Sequence, residues 1–271
     1  MQNAVNPRGR HRPVVSHRRR YPSLALRLEI QYYYLVQVSK ESVLTEQAAE
    51  RGLMAEGAPR FGEQPLPQTV VAAGALRRLT GLLLSLEHEH PTVDAIVAQL
   101  DEWERQLLPA APTDPAPRIG PQSTETQRVY LDHAFDVGAY NPCFPEYTFD
   151  HLDADTASGR VIFPVVYEGP PGLVNGGFLA VFFDCVTQHQ SCASGRTGKT
   201  RSLTVTFRRP TPVLVELRFD VVRAEADGRV VSTARLLLGD DVLCTGEFST
   251  AASSPDKLSV FEFGRRRVTG A

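Results

Sequence analysis

The chain is short of several things that would mark a specialised class. Its net charge is −2 over 271 residues, so there is no cationic excess of the kind that draws a protein to nucleic acid. Its four cysteines (Cys143, Cys185, Cys192 and Cys244) contain no Cys-x-x-Cys pair and suggest no disulfide framework in a chain this long. They read as reduced thiols, which places the protein in the cytoplasm. Cys185 and Cys192, seven apart, share a face of a predicted helix as packing residues. Long apolar runs are missing as well. The segment Leu24 to Val38 carries Arg27 and Glu29, which spoils it as a signal-peptide core and leaves it too short to span a bilayer. The twin arginines before it lack a clean hydrophobic run. His88-Glu89-His90 sits at a predicted helix end, where exposed polar residues belong, so no metal site is expected there. No cofactor is implied anywhere.

Proline is the residue that divides the chain. Residues 1–22 carry six arginines, no acid, and Pro7, Pro13 and Pro22; residues 1–66 read as a basic, poorly defined leader. Within it, Ile30 to Val38 suits either a strand or a short helix. Residues 67–108 read as a helical hairpin. Leu76, Leu79, Leu83 and Leu86 recur at helical spacing, as do Ile96, Leu100, Trp103 and Leu107, and Pro91-Thr92 divides the two runs. Such a hairpin is too small for its own core and is expected to pack on the rest of the chain or on a partner. Pro109, Pro112, Pro115, Pro117 and Pro121 mark a linker over 109–128.

Beyond the linker the period changes to two. Strands are expected over Glu146–Leu152 and Gly159–Tyr167, joined by a turn at Asp155–Ser158. Further strands are expected over Thr200–Arg209, from Val215, over Val230–Leu238 and over Val242–Thr250, forming an antiparallel meander with turns at Asp227-Gly228 and Gly239-Asp240. The expected class is α+β, with one helix and several long antiparallel strands, and no βαβ alternation. A polar tail follows over 252–271.

The stretch Pro170-Pro171-Gly172-Leu173-Val174-Asn175-Gly176-Gly177 leads into the helix. Asn175 suits an N-cap, and the glycines leave the first turn open to close approach. From Phe178 to Val186 nearly every residue is apolar on all sides, as in a helix enclosed by other elements. Asp184 is the ionisable exception. One reading makes it structural, bonded to a neighbouring backbone or turned out at the helix's one open edge. The other makes it a base or nucleophile beside first-turn N–H groups that stabilise an oxyanion. Distance constrains the second reading. Gly176 and Asp184 lie eight residues apart, about 12 Å along a helix, whereas one carbonyl needs both groups within about 3 Å. Two antiparallel copies of the helix satisfy that requirement, so a dimer with composite sites is expected.

Residues from about 130 to 250 resemble a hotdog-fold thioesterase of the PaaI/4HBT type. The resemblance rests on Val174-Asn175-Gly176-Gly177, on Asp184 seven residues after the second glycine, and on a threonine opening the next strand. It also rests on that strand's ending, Val205-Thr206-Phe207-Arg208-Arg209-Pro210-Thr211-Pro212, on Asp227-Gly228-Arg229, and on Cys244-Thr245-Gly246. It implies a hotdog fold, a long helix wrapped by a curved antiparallel sheet, assembled as a homodimer or homotetramer; the helical hairpin of 67–108 would be an N-terminal helical extension to it. It implies hydrolysis of acyl-CoA without a serine or cysteine nucleophile. By the same resemblance Asp184 is the base or nucleophile, the Gly176 N–H polarises the thioester carbonyl from the opposite subunit, and Thr200 orients the attacking water. Asn175 stands where the family usually has histidine, so it can cap the helix and donate a hydrogen bond but serves no role that needs an imidazole. Gly169 stands where many members carry a polar residue. Gly177, Phe178 and Arg201 are candidate substrate-binding residues, Phe178 and Phe182 lining the acyl pocket. Arg196, Lys199, Arg201, Arg208 and Arg209 are candidates for a cationic rim toward CoA phosphates, with solvated surface charge as the alternative. Strict alternation puts Thr200 on the face opposite Leu203, which leaves an ordinary strand threonine equally open.

Three functions remain in view at this level: an acyl-CoA thioesterase, a hydratase or dehydratase on the same fold, and a non-catalytic acyl-binding protein. The second asks for an Asp–His pair on one helix, and His189 follows Asp184 by five residues, a spacing that turns it to another face.

Overall fold

The computed structural model describes residues 62–111, 129–131, 137–194, 198–226 and 229–252. The basic leader, including Ile30 to Val38, lies outside the described residues apart from its last few positions. So do 112–128 of the Pro-rich linker, Arg196, the Asp227-Gly228 turn and the tail from 253. In chain order the elements are β1 (Gly62–Gln64), α1 (Pro67–Leu84), α2 (Pro91–Leu107), β2 (Val129–Leu131), α3 (Val137–Tyr140), β3 (Tyr147–Leu152) and β4 (Thr156–Ile162). Then come α4 (Gly176–Ala193), β5 (Gly198–Phe207), β6 (Glu216–Ala226), β7 (Arg229–Leu238) and β8 (Asp241–Ala252). Short 3-10 turns occur at Leu108–Ala110 and Val165–Tyr167.

Period-two patterning becomes a six-stranded antiparallel sheet in the order β3-β4-β6-β7-β8-β5. Along β7, Val230, Ser232, Ala234 and Leu236 are buried while Arg229, Val231, Thr233 and Arg235 face out, the alternation of a sheet with one wet face. The inner face receives α4. Phe182, Phe183 and Val186 are fully buried against Leu217, Phe219, Ala234, Leu236, Cys244 and Phe248. The Phe182 and Phe219 rings meet edge to face at 5.4 Å, an arrangement that adds to plain area burial. At Gly246 a Cβ would lie 3.0 Å from the Phe183 ring, so the bare backbone there lets the helix seat closely on the sheet.

Two expectations about the strands need correction. The turn between β3 and β4 lies earlier, at Asp153–Asp155, because the Asp153 carboxylate accepts from the Asp155 and Thr156 N–H groups at 2.9 and 2.7 Å and closes the chain there. The second strand of that pair stops at Ile162, since Pro164 cannot extend the ladder, and Val165–Tyr167 winds into a 3-10 turn. The four later strands do not form one meander. β6, β7 and β8 do, but among the described residues β5 pairs only with β8 and forms the edge of the six-stranded sheet. The β5–β6 connection crosses the N-terminal end of α4 instead of turning back. On its way the Val174 N–H donates to Thr211 O at 2.8 Å, the Val213 N–H to Gly172 O at 3.1 Å and the Leu214 N–H to Phe163 O at 2.8 Å. Pro210 and Pro212 suit this extended strap, which carries little ladder of its own.

The helical hairpin packs by a different face from the leucine pattern. Leu76 and Leu86 are exposed, whereas Val70, Ala73, Arg77 and Gly81 are buried. Arg77 decides the orientation. Its guanidinium donates to Gly138 O, Asn141 O and Phe144 O at 2.6, 3.2 and 3.3 Å and pairs with Glu146 at 2.6 Å. A buried cation is tolerable only with such partners, so α1 docks where the carbonyls are. Tyr167 closes the same corner, its hydroxyl donating to Phe144 O at 2.6 Å. Burial pushes that phenol up to about 12, which keeps it a donor. No residue of α2 is buried; Leu100, Trp103 and Leu107 are exposed. Among the described residues no helix is long and apolar enough to cross a membrane, and no group of His, Cys, Asp and Glu side chains could hold a metal ion.

Candidate active site

Asn175 begins α4 in an extended conformation (φ −65°, ψ 135°), and its side-chain oxygen accepts from the Gly177 N–H at 2.8 Å. One of the free donors of the first turn is thereby used. The Gly176 N–H has no partner among the described residues, so it, and not Gly177, is the first-turn donor left for an incoming oxygen. A Cβ on Gly176 would lie 3.0 Å from the Phe207 ring, and one on Gly169 would lie 3.0 Å from Asn175 Cα. Both glycines therefore stand in close contacts around the helix start. The Asn175 N–H donates to Tyr167 O at 2.9 Å, which ties the cap to the corner that Arg77 and Tyr167 build. Phe178 is half-buried, with its ring 4.9 Å from that of Tyr167.

α4 is not enclosed on every side. Gly177, Val181, Asp184, Gln188 and Cys192 are each at least partly open to solvent, and their spacing of three and four places them on one stripe of the helix. Asp184 therefore lies on the open edge of the helix, half-buried, instead of deep within it. Its Oδ1 accepts the Thr200 hydroxyl at 2.9 Å, and the Thr200 oxygen accepts from Gln188 Nε2 at 2.7 Å. A carboxylate, a hydroxyl and an amide thus form one chain of hydrogen bonds beside the β5 edge.

The position of Thr200 overturns the strict alternation expected for β5. Thr200 pairs with Thr250 and Ser202 with Ser249, leaving Arg201 as an extra residue between them. Directly opposed residues of an antiparallel pair share a face, and Thr250 is buried on the inner face along with Phe248. The one-residue bulge therefore turns Thr200 to the side of Leu203, which pairs with Phe248, and toward the helix. Arg201 itself is exposed at the bulge, as are Arg208 and Arg209 further on, where Arg209 pairs with Asp241 at 3.2 Å. The side chain of Lys199 lies outside the described residues.

The structure thus joins Asp184 with Thr200 and, separately, Asn175 with Gly176, Gly177 and Phe178. Within one chain these two groups stay apart, because α4 is continuous from Gly176 to Ala193 and its rise puts about 12 Å between Gly176 and Asp184. Gln188 escaped the sequence reading, although it lies one turn beyond Asp184 on the same stripe. His189 is turned into the core, with Nδ1 3.2 Å from the Tyr147 hydroxyl and its ring 5.0 Å from Phe149. Burial pushes its pKa down to about 4.

Comparison with solved structures identifies the fold as the hotdog fold. The crystal structure of a thioesterase superfamily protein aligns over 67% of this chain and 94% of its own, with a TM-score of 0.55 at 24% identity. A Streptococcus mutans protein bound to acetyl CoA aligns over 41% of this chain and 91% of its own, with a TM-score of 0.39 at 11% identity. A phenylacetic acid degradation-related protein of Ralstonia eutropha covers 38% and 82%, with a TM-score of 0.35 at 20% identity. No protein-family model matches the chain, and no curated protein matches it.

Proposed function

We propose that the protein hydrolyses acyl-CoA thioesters to a free acid and CoA, as a dimer or a dimer of dimers in the cytoplasm. The observation that carries this reading is the Thr200–Asp184 hydrogen bond on the open stripe of α4. It occupies Oδ1 and leaves Oδ2 to take a proton from water. The water oxygen attacks the thioester carbonyl carbon while its proton passes to Asp184. The carbonyl oxygen becomes an oxyanion that the partner subunit's first helical turn, through its Gly176 N–H, stabilises. The carbon–sulfur bond then breaks, and the proton held on Asp184 passes to the leaving CoA thiolate. In the alternative course Oδ2 attacks the carbonyl carbon and the carbon–sulfur bond breaks to release CoA thiolate; water then hydrolyses the mixed anhydride, restoring the Asp184 carboxylate and giving one proton to the thiolate. Asn175 sets the turn by capping it. Phe178 belongs to the acyl pocket, and Gly177 keeps its approach open. Arg201, exposed at the bulge, is offered to a CoA phosphate. Four free thiols favour a reducing compartment.

A hydratase would need an imidazole beside the carboxylate, and His189 is packed against Tyr147 and Phe149 instead. The test is thiol release from acetyl-, hexanoyl-, palmitoyl- and phenylacetyl-CoA by the wild-type protein and by Asp184→Ala. Release by the former and none by the latter, with the fold and dimer intact, is expected. Equal turnover by both rejects the assignment, and tight binding of acyl-CoA without release favours a non-catalytic carrier.

A further inference from the structure

Gln188 has no place in the mechanism so far, and its geometry gives it one. It stands four residues after Asp184 on the same stripe of α4, yet its side chain reaches the Asp184 carboxylate only through Thr200. Its Nε2 is 2.7 Å from Thr200 Oγ1, which in turn is 2.9 Å from Asp184 Oδ1. Nothing else among the described residues bonds the Gln188 side chain. A threonine hydroxyl has a single proton and rotates freely unless its neighbours choose a direction. An amide N–H can only donate, so Gln188 occupies a lone pair of Thr200 and turns the hydroxyl proton away from itself and toward the carboxylate. Hydrogen bonds in series also polarise one another, so the amide strengthens the bond that Thr200 gives.

We propose that Gln188 is a positioning residue for the thioesterase reaction: it fixes the Thr200 hydroxyl as a donor to Asp184 Oδ1. Two consequences follow, and the inference rests on the reading of Asp184 given above. The carboxylate is held in one rotamer with Oδ2 directed to the water site. The Thr200 oxygen, with its proton committed, has only acceptor capacity left, so the attacking water donates one proton to Asp184 and can donate the other to Thr200. That second contact orients the water lone pair at the carbonyl carbon. Without Gln188 the hydroxyl divides between the carboxylate and solvent, and the water loses part of its alignment with no loss of any substrate contact.

The experiment is a double-mutant cycle on kcat and KM, using as probe whichever of the four acyl-CoAs turns over fastest. Gln188→Leu is expected to lower kcat roughly tenfold, the worth of one hydrogen bond, with KM and melting temperature unchanged. The same substitution made on top of Thr200→Val is expected to cost nothing further, because the hydroxyl it directs is gone. Made on top of Thr200→Ser, which keeps the hydroxyl, it should cost as much as in the wild type. A loss from Gln188→Leu that is the same in the Thr200→Val background, or a loss that falls on KM alone, or no loss at all, overturns the inference. Asp184→Asn serves as the separate arm. If it is inactive while Gln188→Leu is fully active, only the role of Gln188 is refuted. If Asp184→Asn keeps parental activity, or if none of the four thioesters is cleaved, the thioesterase reading falls and this inference falls with it.

Discussion

Asp184 and Thr200 are 16 positions apart in the chain and 2.9 Å apart in space, and a single unpaired residue, Arg201, brings them together. Without the bulge Thr200 would lie on the outer face of the sheet with Thr204 and Thr206. With it, the hydroxyl reaches across to the open stripe of α4. Sheet edges often carry bulges where a side chain must be re-aimed, and here the re-aimed side chain meets the candidate carboxylate.

The oxyanion role of Gly176 has a test that leaves the fold alone. Proline is well tolerated at the first position of a helix, where its missing N–H breaks no intrahelical bond. Asn175, at φ −65° and ψ 135°, already has the extended conformation that a residue before proline prefers. Gly176→Pro should therefore keep its circular dichroism and its assembly while kcat drops by about 100- to 1000-fold, the usual cost of one oxyanion donor. Phe207, 57% exposed, has room to swing away from the new ring. Undiminished kcat in a folded variant would remove Gly176 from the mechanism.

Complementation tests the composite site. Asp184→Asn and Gly176→Pro dimers should each be inactive. After the two are unfolded and refolded together, mixed dimers contain one site with both groups intact, and random pairing should restore about a quarter of wild-type activity. Recovery indistinguishable from zero, with mixed dimers demonstrated by mass spectrometry, would mean that Asp184 and Gly176 do not act across subunits.

His189 predicts a particular acid instability. Burial holds its folded-state pKa near 4, against an ordinary value of 6.5. Above pH 6.5 the ring is neutral in both folded and unfolded chains and has no effect. Between 6.5 and 4 only the unfolded chain takes up the proton, so stability falls as pH falls, by ~3 kcal/mol at the limit. Below about 4 both forms are protonated and this contribution no longer changes. Urea unfolding across that range should show the slope in the wild type and lose it in His189→Leu. An identical slope in both proteins would assign the effect to other groups.

Arg77 predicts that the helical extension depends on one cation. Truncation to alanine removes a side chain 3% exposed and takes the guanidinium from Gly138 O, Asn141 O and Phe144 O, of which Phe144 O keeps the Tyr167 hydroxyl. The expected cost is roughly 3 kcal/mol in urea unfolding. Leu76→Ala, on the same helix but 43% exposed, should cost less than about 1 kcal/mol. If the two losses are equal, the leucine face and not the arginine face holds α1 in place.

How much of this was legible beforehand differs by element. The start of α4 and the N-cap at Asn175 were readable, because capping and the change of period depend on residues a few positions apart. The six strands of the main sheet were readable in outline for the same reason, although the β3–β4 turn and the end of β4 were misplaced and β1 and β2 were not foreseen. Their order was not. Pro210 and Pro212 mark an end to β5, but nothing local says that the chain then crosses the N-terminal end of α4 and leaves β5 at the far edge. The leucines of α1 misled, since spacing reports that a helix has an apolar face and not whether that face finds a partner. Arg77, polar and passed over, settles the docking through carbonyls that lie more than sixty positions away.

For the candidate site the division is similar. Residue order alone determined that one carboxylate would ride on an apolar helix behind a capped glycine turn, and helical rise alone separated that carboxylate from the turn by too much for one subunit to join them. Tertiary structure decided that Asp184 opens to solvent, that Thr200 faces it and that the Gln188 amide donates to Thr200. Those contacts depend on a one-residue slip between β5 and β8, and register is a property of two strands paired together, which neither strand carries by itself.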